Sequence, residues 1–379
     1  MQKPSTPIHT TIAPGRVNLL GEHVDYNDGI VLPAAIDRHV TLTFHMLDEP
    51  VLHLHALDLN KSIAIPLDNL EAKIDTEGEP LQSFALYPAS VAWALQQAGL
   101  TVPGMHASYT SNVPIGAGLS SSAAVEVAFA VSWQYLAEWN IPKMTLAQHC
   151  QRGENRYVGV QSGLMDQFAS LFGIENHALM LDTRSLDWQP LGLPEDIAII
   201  IADSKVRRSL SGSTYNNRRN DCREALQQMA SLLPGIKALR DLSIDQFNEH
   251  AHILSNTTRL RAKHVVYECA RVDKAVEFLN MNDAESFGHL MFECHQSLRD
   301  NYEVSCPELD VLVEIAAKQE GCLGARLTGA GFGGCTVNLV KQNNAELFIA
   351  NLKKSYRNLT GKDADVYLCQ AAAGAAVVE

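Results

Sequence analysis

Four polar side chains, Arg16, Glu22, His23 and Asp25, crowd one short stretch between an apolar strand-like run and the turn Asn27-Asp28-Gly29. Carboxylates and an imidazole placed together offer acceptors and donors to a polyhydroxylated ligand. A site built to hold hydroxyls also rejects analogues that lack them. A plainer reading is a solvated loop in which Arg16 pairs with Glu22 or Asp25, a contact of small energetic weight. A second stretch, Val113 to Ala124 (VPIGAGLSSSAA), carries chemistry of another kind. Its glycines let main-chain N–H groups turn inward, and its serines open a helix whose N-terminus bears roughly half a positive charge, which suits a phosphate. It is not a Walker A loop, because no Gly-Lys-Ser/Thr follows the glycines; a tight turn with a good N-cap fits it equally well. Asp166 lies among Leu164, Met165, Phe168, Leu171 and Phe172. A carboxylate in apolar company faces water or has a partner. Beside an arginine it would be a general base or an electrostatic anchor, and otherwise a surface N-cap.

The elements that must position these residues follow from periodicity. Residues 10–60 alternate like strands, with further strand character at Val40 to Phe44 and Val51 to His55. His53 and His55 share a strand face at period two, as a zinc pair would. With no third ligand nearby in sequence, a solvated or half-buried face is the expected reading. Residues 81–98 read as an amphipathic helix whose Phe84, Tyr87 and Trp93 belong to the core, although one of them could flank an adenine. Ser122 to Trp139 and Thr145 to Tyr157 read as helices, the second carrying Glu154; Ala178 to Asp182 and Ile197 to Ala202 read as strands. Residues 222–300 are mostly helical, with Glu268 and Arg271 expected as an ordinary surface pair. The basic run at Lys205 to Arg208 and Tyr215 to Arg219 is expected on a solvated helix face. A second glycine-dense segment, Gly324 to Val337, reads as a hairpin or as a backbone wall close to a ligand.

Composition bounds the partners. A chain of 379 residues exceeds one comfortable core, so two domains are expected, 1–193 and 194–379, divided near Leu191 to Glu195. A formal charge of −13 argues against nucleic acid and against an anionic membrane as partners. Eight cysteines scattered singly, with no C-x-x-C pair, fit reduced thiols. With no apolar run long enough to span a bilayer and no signal core in the first residues, a soluble cytoplasmic protein is expected.

Three segments taken together, Gly15 to Tyr26, Pro114 to Ala124 and Leu327 to Gly334, resemble the GHMP kinase superfamily. The first, GRVNLLGEHVDY, is similar to the signature of the galactokinase family within it. Arg207 to Arg219 and Gly163 to Gln167 match the same family, and the resemblance runs from about Ile12 to Tyr367. It implies an α/β (α+β) chain of the GHMP kinase fold: an N-terminal β-rich α/β domain, a C-terminal ferredoxin-like α+β domain, and an active site in the cleft between them. It implies ATP-dependent phosphorylation of the anomeric hydroxyl of galactose. By position, Asp166 would be the catalytic carboxylate, with Arg16 beside it stabilising charge on the transferring group. Glu22, His23, Val24, Asp25, Gly163, Asp166 and Tyr215 would hold the sugar. Gly116, Ala117, Gly118, Leu119, Ser120, Ser121 and Ser122 would cradle the phosphates of ATP. Ser122 and Glu154 would ligate Mg²⁺, an oxygen-only set that suits a hard ion. The expected assembly is a monomer.

The chain departs from the family at Leu20 and Val24, mildly, and at Phe84 and Leu86, where relatives more often carry tryptophan and asparagine. The latter two bear on the nucleotide base. Rival readings are a kinase for N-acetylgalactosamine, arabinose or galacturonate, and a non-catalytic sensor of galactose and ATP. The complete run Ser120 to Ala124 favours catalysis over sensing.

Overall fold

A computed structural model describes residues 7–207 and 211–378, with the main chain alone at 211–214. The extreme N-terminal residues read for a signal, and Arg208 with its two successors in the basic run, lie outside the described residues. The chain opens with β1 (His9–Asn18), β2 (Ile30–Val31), β3 (Pro33–Leu47), β4 (Val51–Ala56) and β5 (Lys61–Pro66). Then come α1 (Ser83–Gln97), β6 (Gly104–Ser111), α2 (Ser121–Leu136), α3 (Lys143–Gly153), α4 (Met165–Phe172), β7 (His177–Asp182) and β8 (Trp188–Gly192). The second half runs through β9 (Ile197–Asp203), α5 (Ser211–Leu232), α6 (Ile244–His250), α7 (Asn256–Asn280), α8 (Ala284–Asp300) and α9 (Pro307–Ala317). It closes with β10 (Cys322–Thr328), β11 (Cys335–Lys341), α10 (Ala345–Thr360), β12 (Asp365–Cys369) and β13 (Ala376–Val378).

The first half is built on a six-stranded sheet in the order β13-β1-β3-β6-β4-β5, antiparallel except where β4 meets β6. Helices α2 and α4 lie on one face, over β1 and β3. Helix α2 is apolar nearly all round, so it is buried rather than half-exposed, with Phe129 and Trp133 ring to ring at 5.5 Å. On the opposite face, His45, His106 and His53 stand abreast across β3, β6 and β4. The His45 and His106 rings stack at 4.9 Å, and His55 lies 4.9 Å from His106. The pair visible in sequence thus gains two half-buried neighbours from adjacent strands, although no group of three or more such side chains among the described residues is arranged to hold a metal ion.

The second half centres on a four-stranded antiparallel sheet, β10-β11-β9-β12, with its own apolar layer of Ile200, Leu312, Phe348 and Leu352 under α9 and α10. A sheet covered by helices on this plan is the α+β second half that the resemblance implied. The last strand, β13, returns to pair with β1, so the C-terminus is stitched into the first sheet. No helix among the described residues is long and apolar enough to cross a membrane, and no cysteine among them forms a disulfide.

Three local expectations are corrected. Glu268 and Arg271 are not a surface pair: Glu268 is fully buried and the Arg271 side chain is only 9% exposed, and Glu268 also accepts the Gly21 N–H at 2.8 Å and the Cys294 thiol at 3.0 Å. Burial by itself would raise the Glu268 carboxyl, but Arg271, with His264 and Arg326, holds it down at about 2. The basic run is only partly a solvated face: the Lys205 and Arg207 side chains are about two-fifths exposed, yet its arginines are tied down. Arg207 makes a fork of two 2.7 Å bonds to buried Asp203, Arg218 donates to the Tyr302 carbonyl at 2.8 Å, and Arg219 donates to the Gln161 carbonyl at 2.8 Å. Of the three aromatics assigned to the core, only Trp93 stays clear of the cavity described below. It packs against Tyr157 and donates to Glu71, whereas Phe84 and Tyr87 line the cavity. Leu86 is packed against the core, so only Phe84 of the two departures touches the cavity.

Candidate active site

The site begins with a break in register. The β1–β3 ladder slips between Pro14 and Arg16, a bulge at Gly15 that re-aims the Arg16 side chain. A Cβ at Gly15 would stand 2.7 Å from the Leu119 carbonyl oxygen, so only glycine lets β1 approach the 113–120 loop this closely. The Arg16 N–H then donates to that carbonyl at 3.1 Å, and Arg16 Nη1 donates to the Gly118 carbonyl at 2.6 Å. The rest of the guanidinium grips Asp166, with Nε 2.8 Å and Nη2 2.7 Å from Oδ1. The other oxygen, Oδ2, accepts from the Ser120 hydroxyl. Asp166 lies in the first turn of α4, a quarter exposed and facing the cavity, so the partner that its apolar neighbours demanded is Arg16.

Ser120 corrects a further expectation. It is the residue that precedes α2, in the left-handed region at φ 58°, yet its side chain caps nothing in the helix. Its hydroxyl is committed to Asp166 instead. The first turn of α2 therefore presents N–H groups with no capping side chain, toward a cavity lined by Gly116, Gly118 and Ser120 to Ser122. Ala117 and Leu119 are buried and off that lining, so their side chains brace the loop from behind. The second glycine-rich segment is the β10–β11 hairpin, and it closes on the first. A Cβ at Gly329 would meet the Gly118 carbonyl oxygen at 2.6 Å, and one at Gly334 the Ala117 oxygen at 2.8 Å. It walls in the loop and reaches the cavity itself through Gly329 and Ala330.

The cavity, of about 730 Å³, lies between the two halves of the chain. One end gathers Arg16, Glu22, His23, Asp25, Gly163, Asp166 and Tyr215. Burial, aided by Asp166 and Glu22, pushes the Asp25 carboxyl up to about 7. A Cβ at Gly163 would stand 1.9 Å from Asp25 Oδ2, so Gly163 serves by making room for that carboxylate. His23 sits at φ 63°, its Nδ1 bonded to the Tyr26 phenol at 2.8 Å and its ring 5.6 Å from that of Tyr215. Burial drives its pKa well below the usual imidazole range, leaving it neutral. Val24 does not belong with these residues. It is fully buried and off the lining, its side chain packed against Gly29 and its carbonyl closing the turn through the Asn27 and Gly29 N–H groups.

Toward the other end stand Lys61, Phe84, Tyr87, Ser122, Glu154 and Arg207. Glu154 opens a five-residue π-helical turn after α3, and such wide turns re-aim a side chain off the regular helical track. Its carboxylate is buried and bonded to the Ser162 hydroxyl and the Gln167 amide, both neutral, and burial lifts it to about 7. Ser122 faces the same space, close to Tyr87. A buried carboxylate with no cation in contact among the described residues, next to a hydroxyl and an open helix N-terminus, is an oxygen donor set that fits Mg²⁺, which takes one or two protein ligands and leaves the rest to phosphates and water. Lys61 and the Ser162–Glu154 bond were not legible as site features in the sequence. Arg207 carried only the signal of a basic run.

The geometry has direct counterparts. Residues 87–174 match the family model for the GHMP kinase N-terminal domain, and residues 274–358 the model for the GHMP kinase C-terminal region. Mevalonate kinase, 20% identical with a TM-score of 0.68 over 95% of this chain and 98% of that one, shares the fold. The chain, with its glycine-rich loop at a helix start, thus has the fold of the GHMP kinases. Residues 2–45 match the galactokinase galactose-binding signature. Galactokinase of Roseiflexus sp. (strain RS-1) is 44% identical across 96% of this chain and 91% of its own length. That of Bacillus subtilis (strain 168) is 38% identical across 96% and 93%. The crystal structure of Lactococcus lactis galactokinase complexed with galactose superposes with a TM-score of 0.92, at 34% identity over 97% of this chain and 95% of that one. The chain belongs to the galactokinase family, the sugar kinases of the GHMP class.

Proposed function

We propose that this protein transfers the γ-phosphoryl group of ATP to the anomeric hydroxyl of galactose, giving galactose 1-phosphate, with Asp166 as the catalytic carboxylate. The observation that carries the reading is the position of Asp166. It stands where the hydroxyl-binding end of the cavity meets the glycine–serine loop, with both oxygens held, one by Arg16 and one by Ser120. Phosphoryl transfer asks a protein chiefly to position and to stabilise charge. In the step proposed, the O1–P bond forms as the P–O bond to the departing ADP breaks, and the O1 proton moves toward Asp166. Arg16 bonds both Asp166 and the Gly118 carbonyl, so it ties the carboxylate to the phosphate loop as one rigid unit and places positive charge beside the transferring group. Glu22, His23, Asp25 and Tyr215 take the sugar hydroxyls, neutral His23 offering a definite donor–acceptor pattern. Gly116, Gly118 and Ser120 to Ser122 take the phosphates through main-chain N–H groups and hydroxyls, and Arg207, which lies beside Gly116, adds a cation at that edge. Ser122 and Glu154 hold Mg²⁺, which when bound neutralises charge on the phosphates. Phe84 and Lys61, whose ammonium lies 5.7 Å over the Phe84 ring, flank the base.

Three carboxylates around the sugar end, Glu22, Asp25 and Asp166, favour a neutral sugar over galacturonate, whose carboxylate they would repel. The Ser120–Asp166 contact favours catalysis over sensing. Both proposed units, 1–193 and 194–379, contribute side chains to one cavity within a single chain, so a monomer suffices for the chemistry. The scattered thiols suit a reducing cytoplasm. The test is ATP consumption by purified protein with Mg²⁺ across a panel of sugars, with the phosphorylated position determined. Turnover of another sugar with none of galactose overturns the substrate assignment.

A further inference from the structure

Glu22 is held almost entirely by the second half of the chain. Its carboxylate Oε2 accepts from Arg326 Nη2 and from the Gly329 N–H at 2.9 Å. Its carbonyl accepts at 3.0 Å from His264 Nε2, which must carry the proton because a carbonyl only accepts. Its own N–H points to Glu268 Oε1 at 3.4 Å. Arg326 is fully buried on β10. Besides Glu22, its guanidinium donates to the carbonyl of the next residue in the strand, Leu327, at 2.6 Å, and reaches the Leu19 carbonyl at 3.4 Å. Among the described residues no partner engages the other Glu22 oxygen, Oε1, and Glu22 lines the cavity.

We infer that Arg326 is a positioning residue for the sugar: by fixing Oε2 from behind, with the Gly329 N–H, it leaves Glu22 a single aimed oxygen for one sugar hydroxyl. The inference rests on the reading of Glu22 as a sugar ligand. A fully buried guanidinium bonded to a buried carboxylate fixes the carboxylate plane, which an apolar residue could not do. The same contact joins β10 to the loop after β1, so the hairpin that walls in the phosphate loop also sets the sugar-binding carboxylate.

Arg326→Lys and Glu22→Asp test this, since each keeps its charge and so is better placed to fold than a neutral replacement. Lysine cannot reach Glu22, Leu19 and Leu327 together, and aspartate withdraws the carboxylate by one methylene. Each variant should raise the galactose KM by roughly 10- to 100-fold, the scale of one charge-assisted hydrogen bond, and leave the ATP KM within about twofold. The double variant should raise it little beyond the worse single one, because both act through one contact. An unchanged galactose KM in either soluble variant, a parallel rise in both KM values, or effects that multiply in the double variant would overturn the assignment. If the wild type proves to phosphorylate a different sugar, the proposed substrate fails, but the same split is then read on that sugar's KM.

Discussion

Replacing Gly163 by alanine adds one methyl group at the most crowded point of the sugar end. The new Cβ would lie 1.9 Å from Asp25 Oδ2 and 2.4 Å from its Cγ. Ordinary contact therefore requires the carboxylate to retreat by roughly 1.5 Å. The main chain at Gly163 is not in the left-handed region, so alanine is compatible with the backbone and the strain falls on Asp25. Losing a hydrogen bond to a charged group costs about 1.5–3 kcal/mol, which corresponds to a galactose KM raised by roughly 10- to 150-fold. Misplacement of about 1 Å near the reacting centre costs a similar factor in rate. Stability should move little, because Asp25 is a half-buried carboxyl already pushed up to about 7, and a shift toward solvent relieves that burial. Steady-state kinetics with galactose and ATP varied separately, alongside a thermal melt, is the assay. A folded variant with a wild-type galactose KM would refute the reasoning that Gly163 exists to seat Asp25 against the sugar.

Asp166→Asn should keep galactose affinity within a few-fold and lose about 10²- to 10⁴-fold in kcat, measured by binding calorimetry and turnover; near-full activity would remove Asp166 from the chemistry. Ser122→Ala should raise the Mg²⁺ concentration needed for half-maximal rate, read from a titration at fixed ATP; an unchanged requirement would remove Ser122 from the metal site. With Asp25 titrating near 7 by burial, kcat/KM for galactose should rise with pH through that value, and Asp25→Asn should lose that limb. The sign for stability is opposite. A carboxyl raised in the folded state contributes stability below its unfolded value of about 4 and loses it as pH rises through 7. The melting advantage of Asp25→Asn over wild type should therefore grow from about pH 4 to about pH 7 and then level off; an advantage independent of pH would mean that Asp25 is not buried as described.

By itself, the sequence determined the local chemistry: a glycine–serine run that opens a helix, a polar cluster after the first strand, and a lone carboxylate among apolar neighbours. Those depend on residue type and short-range spacing, which periodicity and turn preferences report directly. The strands and helices that carry them also followed from pattern, because most bury one face against a core. What the tertiary structure alone decided were contacts across long sequence separations. Arg16 meets Asp166 only because a bulge turns β1 toward the loop at 113–120. The serine that looked like a helix cap is drawn away by the same carboxylate. Glu268, an i,i+3 partner of Arg271 on paper, is buried because α7 packs beneath the loop after β1, and its acceptors are needed by main-chain N–H groups there. Arg207 joins the cavity and Val24 leaves it for the core. In each case burial and a distant partner outweigh local propensity, and neither is encoded in spacing along the chain.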